Sequence, residues 1–352
     1  MSILLQETDS VRQGKSIRDD INPISIHYFP NDVAQIHFDT GEIQAASCLN
    51  CFDIPCMKFK EYEVSPLNFQ GYPADTDLNV CATGAIFFND LTHAPEINPE
   101  SCITCGVCAS RCPIGAISLS DTRAHINLIP NPVFIPNATL SRSKNQQDLN
   151  KFQMLERTGT MCIESDLLVE NFIRKLKKYD DKLPNLLARN LLIGAGISTT
   201  MKRKGNNSMR MDLILSSDYF QSFAEVEFGQ EAVLDAPRDL LDGLAVLISR
   251  YGWNKQNIHP LIISDVLPNR RSEYWHIIED IDKVLNIKVG TITIFLLMLL
   301  NWNKKNIEQL IINNCFYFDK KNSSYKEQVI EHILGRQLNI KNSSSSHIDI
   351  AK

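Results

Sequence analysis

The strongest constraint on this chain is a run of four cysteines, Cys102-Ile-Thr-Cys105-Gly-Val-Cys108-Ala-Ser-Arg-Cys112-Pro113. Three thiols this close must all point inward, so the backbone has to wrap one compact object. A looser run precedes it, Cys48-Leu-Asn-Cys51-Phe-Asp-Ile-Pro-Cys56, followed after a long gap by Cys81. The tails after Cys81 and Cys112 nearly repeat: Cys-Ala-Thr-Gly-Ala-Ile and Cys-Pro-Ile-Gly-Ala-Ile. Pro113 blocks helix continuation and Gly115 permits a close turn. Two tails of one form point to a duplicated half-domain.

Thiolates in this pattern bind metal. Structural zinc is usually held by two well-separated Cys-x-x-Cys pairs around one ion. A tight triplet with a remote fourth cysteine suits the corners of an iron–sulfur cubane better, and C-x2-C-x2-C-x3-C-P is a known spacing for one. Zinc remains the alternative use of the same residues, but it leaves the repeated tails unexplained.

Over residues 34–128 the chain resembles the two-cluster [4Fe-4S] bacterial-type ferredoxins. In that family the fourth cysteine of each run serves the other cluster. The resemblance therefore implies Cys48, Cys51, Cys56 and Cys112 around one cluster, and Cys81, Cys102, Cys105 and Cys108 around a second. Two departures are visible: Ala82 stands where the family has proline, and residues 57–80 form an insertion. The spacing before Cys56 is similar to that in iron–sulfur subunits of larger oxidoreductases.

The rest of the composition is that of an ordinary soluble chain, with 43% hydrophobic and 22% charged residues. Residues 1–150 carry 9 Lys+Arg against 17 Asp+Glu, and residues 151–352 carry 27 against 24. The acidic half suits docking of a basic redox partner; the mildly basic half permits contact with phosphates. The opening residues turn acidic too soon for a signal peptide, and available thiolates suit a reducing compartment, so a cytoplasmic location is expected. The most apolar run, Val289 to Leu300, is too short to span a bilayer and reads as a buried strand running into a helix.

Taken in order, 1–33 is an N-terminal extension, with strand-like alternation at 24–28 and again at 33–38 before a turn at Asp39-Thr40-Gly41. The insertion 57–80 reads as a surface loop that shields the first cluster. Residues 129–155 form a proline-then-polar linker, and 341–352 a low-complexity tail. Residues 156–340 read as a mixed α/β domain. A helix is expected at 160–178, strands at 191–200, 210–216 and 220–228, a helix at 231–251, a strand at 260–266 and a helix at 273–285 capped by Ser272. The fold class is thus α+β followed by α/β.

In the second domain, Asp212 opens one expected strand, and Glu225 and Glu227 lie two apart on the next, hence on one face. Carboxylates so gathered suit Mg²⁺, a hard ion that prefers oxygen. The arrangement and element order resemble the restriction-endonuclease-like, PD-(D/E)XK nuclease superfamily over about 160–300. That resemblance implies Asp212 and Glu225 as metal ligands and Glu227 in the place usually held by a catalytic lysine. Glu164, or alternatively Glu170, would complete the site from the first helix. It further implies nucleic-acid cleavage, in a defence or repair setting, with the clusters sensing redox state or bracing the fold. Lys202-Arg203-Lys204, Arg210 and Arg270-Arg271 are candidate phosphate contacts. Cys162 and Cys315 read as core thiols. Two other functions fit the cysteines: an electron-transfer protein with a docking domain, and a structural metal protein. No Gly-rich nucleotide loop, Gly-x-Ser-x-Gly or nicotinamide fingerprint is present.

Overall fold

A computed structural model describes Cys48, residues 51–64, 72–91, 94–113, 116–119 and 124–126. In the C-terminal half it describes Phe172, 174–179, 182–206, 209–229, 231–265, 267–268, 272–302 and 306–317. The expected strands before Cys48, the linker, the tail, Glu164, Glu170 and Cys162 lie outside these residues, as does most of the helix expected at 160–178.

The cysteine half is built twice over. After Cys81 comes the hairpin β1 (Ile86–Asn89) and β2 (Ala94–Ile97); after Cys112 comes β3 (Ile117–Leu119) and β4 (Ala124–Ile126). Both repeated tails close the same way. The amide of Ala85 donates to Cys81 Sγ at 3.1 Å, and that of Ala116 donates to Cys112 Sγ at 3.2 Å. Two short helices complete this half, α1 (Glu61–Val64) and α2 (Val107–Arg111).

The second half is a five-stranded sheet. Its strands run β5 (Ser198–Met201), β6 (Leu213–Ser216), β7 (Gln221–Glu227), β8 (Leu261–Ser264) and β9 (Gly290–Thr293), in that spatial order. The first three are antiparallel and the last three parallel. Each parallel step needs a crossover helix: α4 (Ala232–Tyr251) joins β7 to β8 and α5 (Glu273–Leu285) joins β8 to β9. Before β5 comes α3 (Lys182–Gly194); after β9 come α6 (Ile294–Trp302) and α7 (Glu308–Ile312).

Period-two alternation sorts the strand residues to two faces. Leu213, Leu215, Ala224, Val226, Leu261, Ile263 and Ile292 pack with α3 and α6. Ile214, Phe223 and Ile262 pack with α4 and α5. Cys102, Cys105, Cys112, Val107 and Ala109 belong to the first of these cores, so the cysteine half lies on the α3–α6 face and shares its interior. Polar clamps hold the joint. Lys175 Nζ donates to the carbonyls of Pro99 at 2.7 Å and Cys102 at 2.6 Å. Tyr179 Oη donates to Ser101 O at 2.8 Å, Asn190 Nδ2 to Val80 O at 2.9 Å, and Ser110 Oγ to Asn301 Oδ1.

Three expectations are corrected. Residues 191–194 end helix α3 and are not strand: an apolar run of Leu-Leu-Ile fits a buried helix as well as a strand, and here it is packed on several sides. The insertion is not a simple surface loop, because Phe59, Val64, Tyr72 and Val80 are all buried. Ser272 stands at the cap position of α5, but its side chain makes no cap bond. The apolar run at 289–300 does form a buried strand and helix, and no helix among the described residues is long and apolar enough to cross a membrane.

Candidate functional site

Cysteine geometry follows from unusual backbone. Thr104 (φ 59°) and Gly106 (φ 82°) flank Cys105 in the left-handed region, and Ile54 (φ 36°) lies between Cys51 and Cys56. For β-branched threonine and isoleucine this is costly and persists only where the surroundings enforce it. These reversals turn successive thiols toward one side of the chain.

Cys81, Cys102, Cys105 and Cys108 line a single apolar cavity, closed by Val80, Ile86, Ile97, Ile103 and Val107 among others. Burial first, and neighbouring Cys81 and Cys102 next, push the Cys105 thiol up; burial with Cys102, Cys105 and Cys81 does the same to Cys108. Cys48 and Cys112 lie close to Cys51 and Cys56. Burial, then Cys112 and Cys48, push Cys56 up to about 12 and raise Cys51. Cys81, Cys102, Cys105 and Cys108 thus share one cavity, while Cys48 and Cys112 lie near Cys51 and Cys56, with Cys56 also near Cys108. Among the described residues no three Cys, His, Asp or Glu gather closely enough to hold a single metal ion. One zinc needs every sulfur at about 2.3 Å from a common centre. Four thiols around one apolar cavity suit the corners of a cluster. Amide donors at Cys81, Cys102 and Cys112 sulfurs fit thiolate ligands.

The carboxylates assemble on the opposite face of the sheet. The pairing Leu213↔Ala224 continues to set Asp212 beside Glu225, and Val226 N donates to Asp212 Oδ2 at 3.1 Å. Lys202 Nζ, one residue past β5, pairs with Asp212 Oδ1 at 3.1 Å. Asp212, Glu225 and Glu227 line one open cleft with Lys202, Asn206, Met209, Arg210, Asp239 and Asp242. Glu225 is only 3% exposed, and its buried Oε1 has no hydrogen-bond partner. Gly243 lets α4 approach: a Cβ there would stand 3.1 Å from Met211 and Phe223 and 3.4 Å from Glu225 Oε1. Burial, then Asp212, push the Glu225 carboxyl well above its usual range. Burial, then Asp212 and Asp239, push Glu227 up to about 7. Two carboxylates that hold protons this tightly, beside Asp212 and one lysine, form a locus of excess negative charge. That is the electrostatics of a cation site. Among the described residues no three carboxylates gather closely enough to enclose an ion.

Asp239 of this cleft, and Tyr72 packed behind it, carried no signal that sequence reading used for it. Asp239 arrives on α4. Tyr72 arrives from the insertion: it is buried, its Oη donates to Met211 O at 3.4 Å, and burial with Asp212 and Glu225 raises its hydroxyl. Of the candidate phosphate contacts, Lys202 and Arg210 line the cleft, with Arg210 paired to Asp242. Cys315 is buried, as a core thiol would be.

Comparison with known proteins bears on the cysteine half. Residues 95–118 match the 4Fe-4S binding domain family. The chain is 31% identical over 78 residues to an uncharacterized ferredoxin of Methanocaldococcus jannaschii; the match spans 22% of this chain and 36% of that protein. No solved structure matches. The chain therefore carries a ferredoxin-type 4Fe-4S binding domain, with Cys102, Cys105, Cys108 and Cys112 inside the matched residues.

Proposed function

We propose that the chain binds two [4Fe-4S] clusters and uses its sheet domain to hydrolyse nucleic-acid phosphodiesters with Mg²⁺, in the manner of restriction-endonuclease-like enzymes. One observation carries the enzymatic part: a buried carboxylate oxygen without a partner, on Glu225, beside Asp212 in an open cleft. Burying such a group unpaired is costly, and a cation in the cleft would relieve the cost.

Asp212 and Glu225 would hold the ion. When bound, Mg²⁺ lowers the pKa of attached water and neutralises charge on a phosphodiester. Glu227, at about 7, is poised to take a proton from water near neutral pH. It stands where the superfamily usually has lysine. Lys202 and Arg210 supply positive charge at the rim for a phosphate backbone.

The cluster part is tested by iron and acid-labile sulfide in anaerobically purified protein, with roughly eight irons per chain expected for two cubanes. Colourless protein holding zinc would end it. The enzymatic part is tested with plasmid DNA and structured RNA. Cleavage should need Mg²⁺ or Mn²⁺ and vanish in Asp212→Ala and Glu225→Ala. Intact substrates under varied metal and redox conditions would refute it. A second reading, electron transfer with a redox partner, is favoured by one feature: Cys48, Cys51 and Cys56 are only partly buried, and Phe52 beside them is fully exposed. Reversible reduction coupled to an acceptor protein would support it, but it leaves Glu225 without a role.

A further inference from the structure

The insertion between Cys56 and Cys81 joins the two sites. Its base is zipped by Lys58 opposite Asn79, with Phe59 N donating to Leu78 O at 2.7 Å and Val80 N to Met57 O at 2.9 Å. Those residues adjoin one cysteine from each set of four. Above the base, Glu63 of α1 takes a two-pronged bond from Arg111, at 2.9 and 3.0 Å, and Arg111 Nε donates to Pro55 O at 2.9 Å. Arg111 directly precedes Cys112, so the insertion is also fastened to the second cysteine run.

The far end of the insertion reaches the carboxylate side. Ala74 bridges Lys202 in antiparallel fashion beyond β5. Asp75 N donates to Met201 O at 2.8 Å, and Arg203 N donates to Pro73 O at 2.7 Å. Lys202 is thereby held between two backbone bonds while its ammonium reaches Asp212. Tyr72 reaches Met211 O, the carbonyl that precedes Asp212. Lys182 on α3 pins Asp75 at 2.8 Å. An edge strand left uncovered would fray and expose its unpaired groups; here the insertion covers it.

We infer that the described parts of the insertion, 57–64 and 72–80, couple cluster occupancy to the carboxylate cleft: ligation of Cys56 and Cys81 fixes their ends, and residues 72–75 then fix Lys202, Asp212 and the cation position. Tyr72 acts as a positioning residue in this device. The inference rests on the reading of the cleft as a cation site and adds its regulation. Loss of iron frees Cys56 and Cys81, the base opens, and residues 72–75 leave the sheet edge.

The test uses full-length, anaerobically reconstituted protein, before and after iron is stripped with ferricyanide and EDTA and the chelator is removed. Two properties are read: amide hydrogen exchange at Asp75 and Arg203, and Mn²⁺ affinity by electron paramagnetic resonance. Stripping should speed both amides by about tenfold or more, the scale of losing one or two backbone bonds, and weaken Mn²⁺ binding several-fold. To separate the coupling from wider unfolding of stripped protein, Tyr72→Ala is measured with its clusters in place, as judged by unchanged iron content. It should weaken Mn²⁺ binding, and Tyr72→Phe should largely restore it through the ring. Unchanged exchange and affinity in stripped protein that keeps its fold, or in Tyr72→Ala, would overturn the coupling. Absence of Mn²⁺ binding in intact holoprotein would instead refute the cation site, and the exchange rates would still decide the mechanical link.

Discussion

Two candidate sites on opposite faces of one molecule are built by opposite means. On the cysteine side, Cys102, Cys105 and Cys108 come from one short stretch, turned inward by left-handed residues beside them. On the carboxylate side, Lys202, Asp212, Glu225 and Tyr72 come from the ends of three strands and an insertion far earlier in the chain. The first site is therefore nearly a property of sequence spacing. The second exists only once the sheet has its register, and a one-residue slip would turn Glu225 to the other face. The local site should respond to mutation by losing its contents. The assembled site should respond by trading function against stability.

The largest expected effect breaks the local site. Cys105→Ser removes a thiol from the second set alone. Roughly half the iron and half the visible absorbance should disappear if each set holds one cubane. Loss of all iron would show that the sets do not fill independently, and no loss would remove Cys105 from the ligands.

Next comes the assembled site. Glu225→Leu replaces a buried, unpartnered carboxylate by an apolar side chain of similar reach. Mn²⁺ affinity should fall by about 100-fold, while metal-free stability rises by about 1–3 kcal/mol, measured by urea unfolding. A purely structural glutamate would give the reverse sign, a loss of stability with no metal effect.

This contrast explains what could be read from the chain beforehand. Cysteine spacing is local, so the division into two sets followed from the resemblance, and the family match takes in Cys102, Cys105, Cys108 and Cys112. The strands at 213–216, 221–227 and 261–264 and the helices at 232–251 and 273–285 were legible because each is long or strongly apolar and bounded by turns. Helix α3 was not. Its Leu191-Leu192-Ile193 run is buried and, taken alone, fits a strand as well as a helix; the helical spacing of Leu183, Leu187 and Leu191 was the signal overlooked. That Glu225 and Glu227 share a face was legible from strand alternation, whereas the register that sets Asp212 beside Glu225 was not. Tyr72 and Asp239 were not, since nothing in the sequence says that residues 57–80 return to the edge of a distant sheet.

A smaller effect sharpens the joint between the two regions. Gly194 ends α3 where a Cβ would fall 1.9 Å from Asn301 Nδ2. Asn301 has little room to yield: its Nδ2 donates to Leu191 O at 3.1 Å and its Oδ1 accepts from Ser110 of the cysteine half. Gly194→Ala should push Asn301 out of both bonds and cost about 1–3 kcal/mol, with iron content unchanged. Full stability would show that the joint is held by its apolar core alone.

The smallest effect is a pH slope. Glu227 has an ordinary value of 4.5, raised to about 7 in the folded chain by burial and by Asp212 and Asp239. The folded state then holds its proton more tightly than the unfolded chain does. Its contribution to stability is complete below pH 4.5 and is lost as pH rises through about 7, with the raised Glu225 acting in the same direction. Metal-free protein should therefore melt at progressively lower temperature between these limits, and Glu227→Gln should flatten part of that fall. Mn²⁺ binding should show the opposite trend, strengthening as pH rises through 7 because the ion competes with the same protons. Parallel melting profiles for wild type and variant would mean that Glu227 titrates as a solvated side chain, and its role as proton acceptor would go with it. The cysteine half offers an internal contrast, since Glu227→Gln should leave its iron content and absorbance unchanged across the same range.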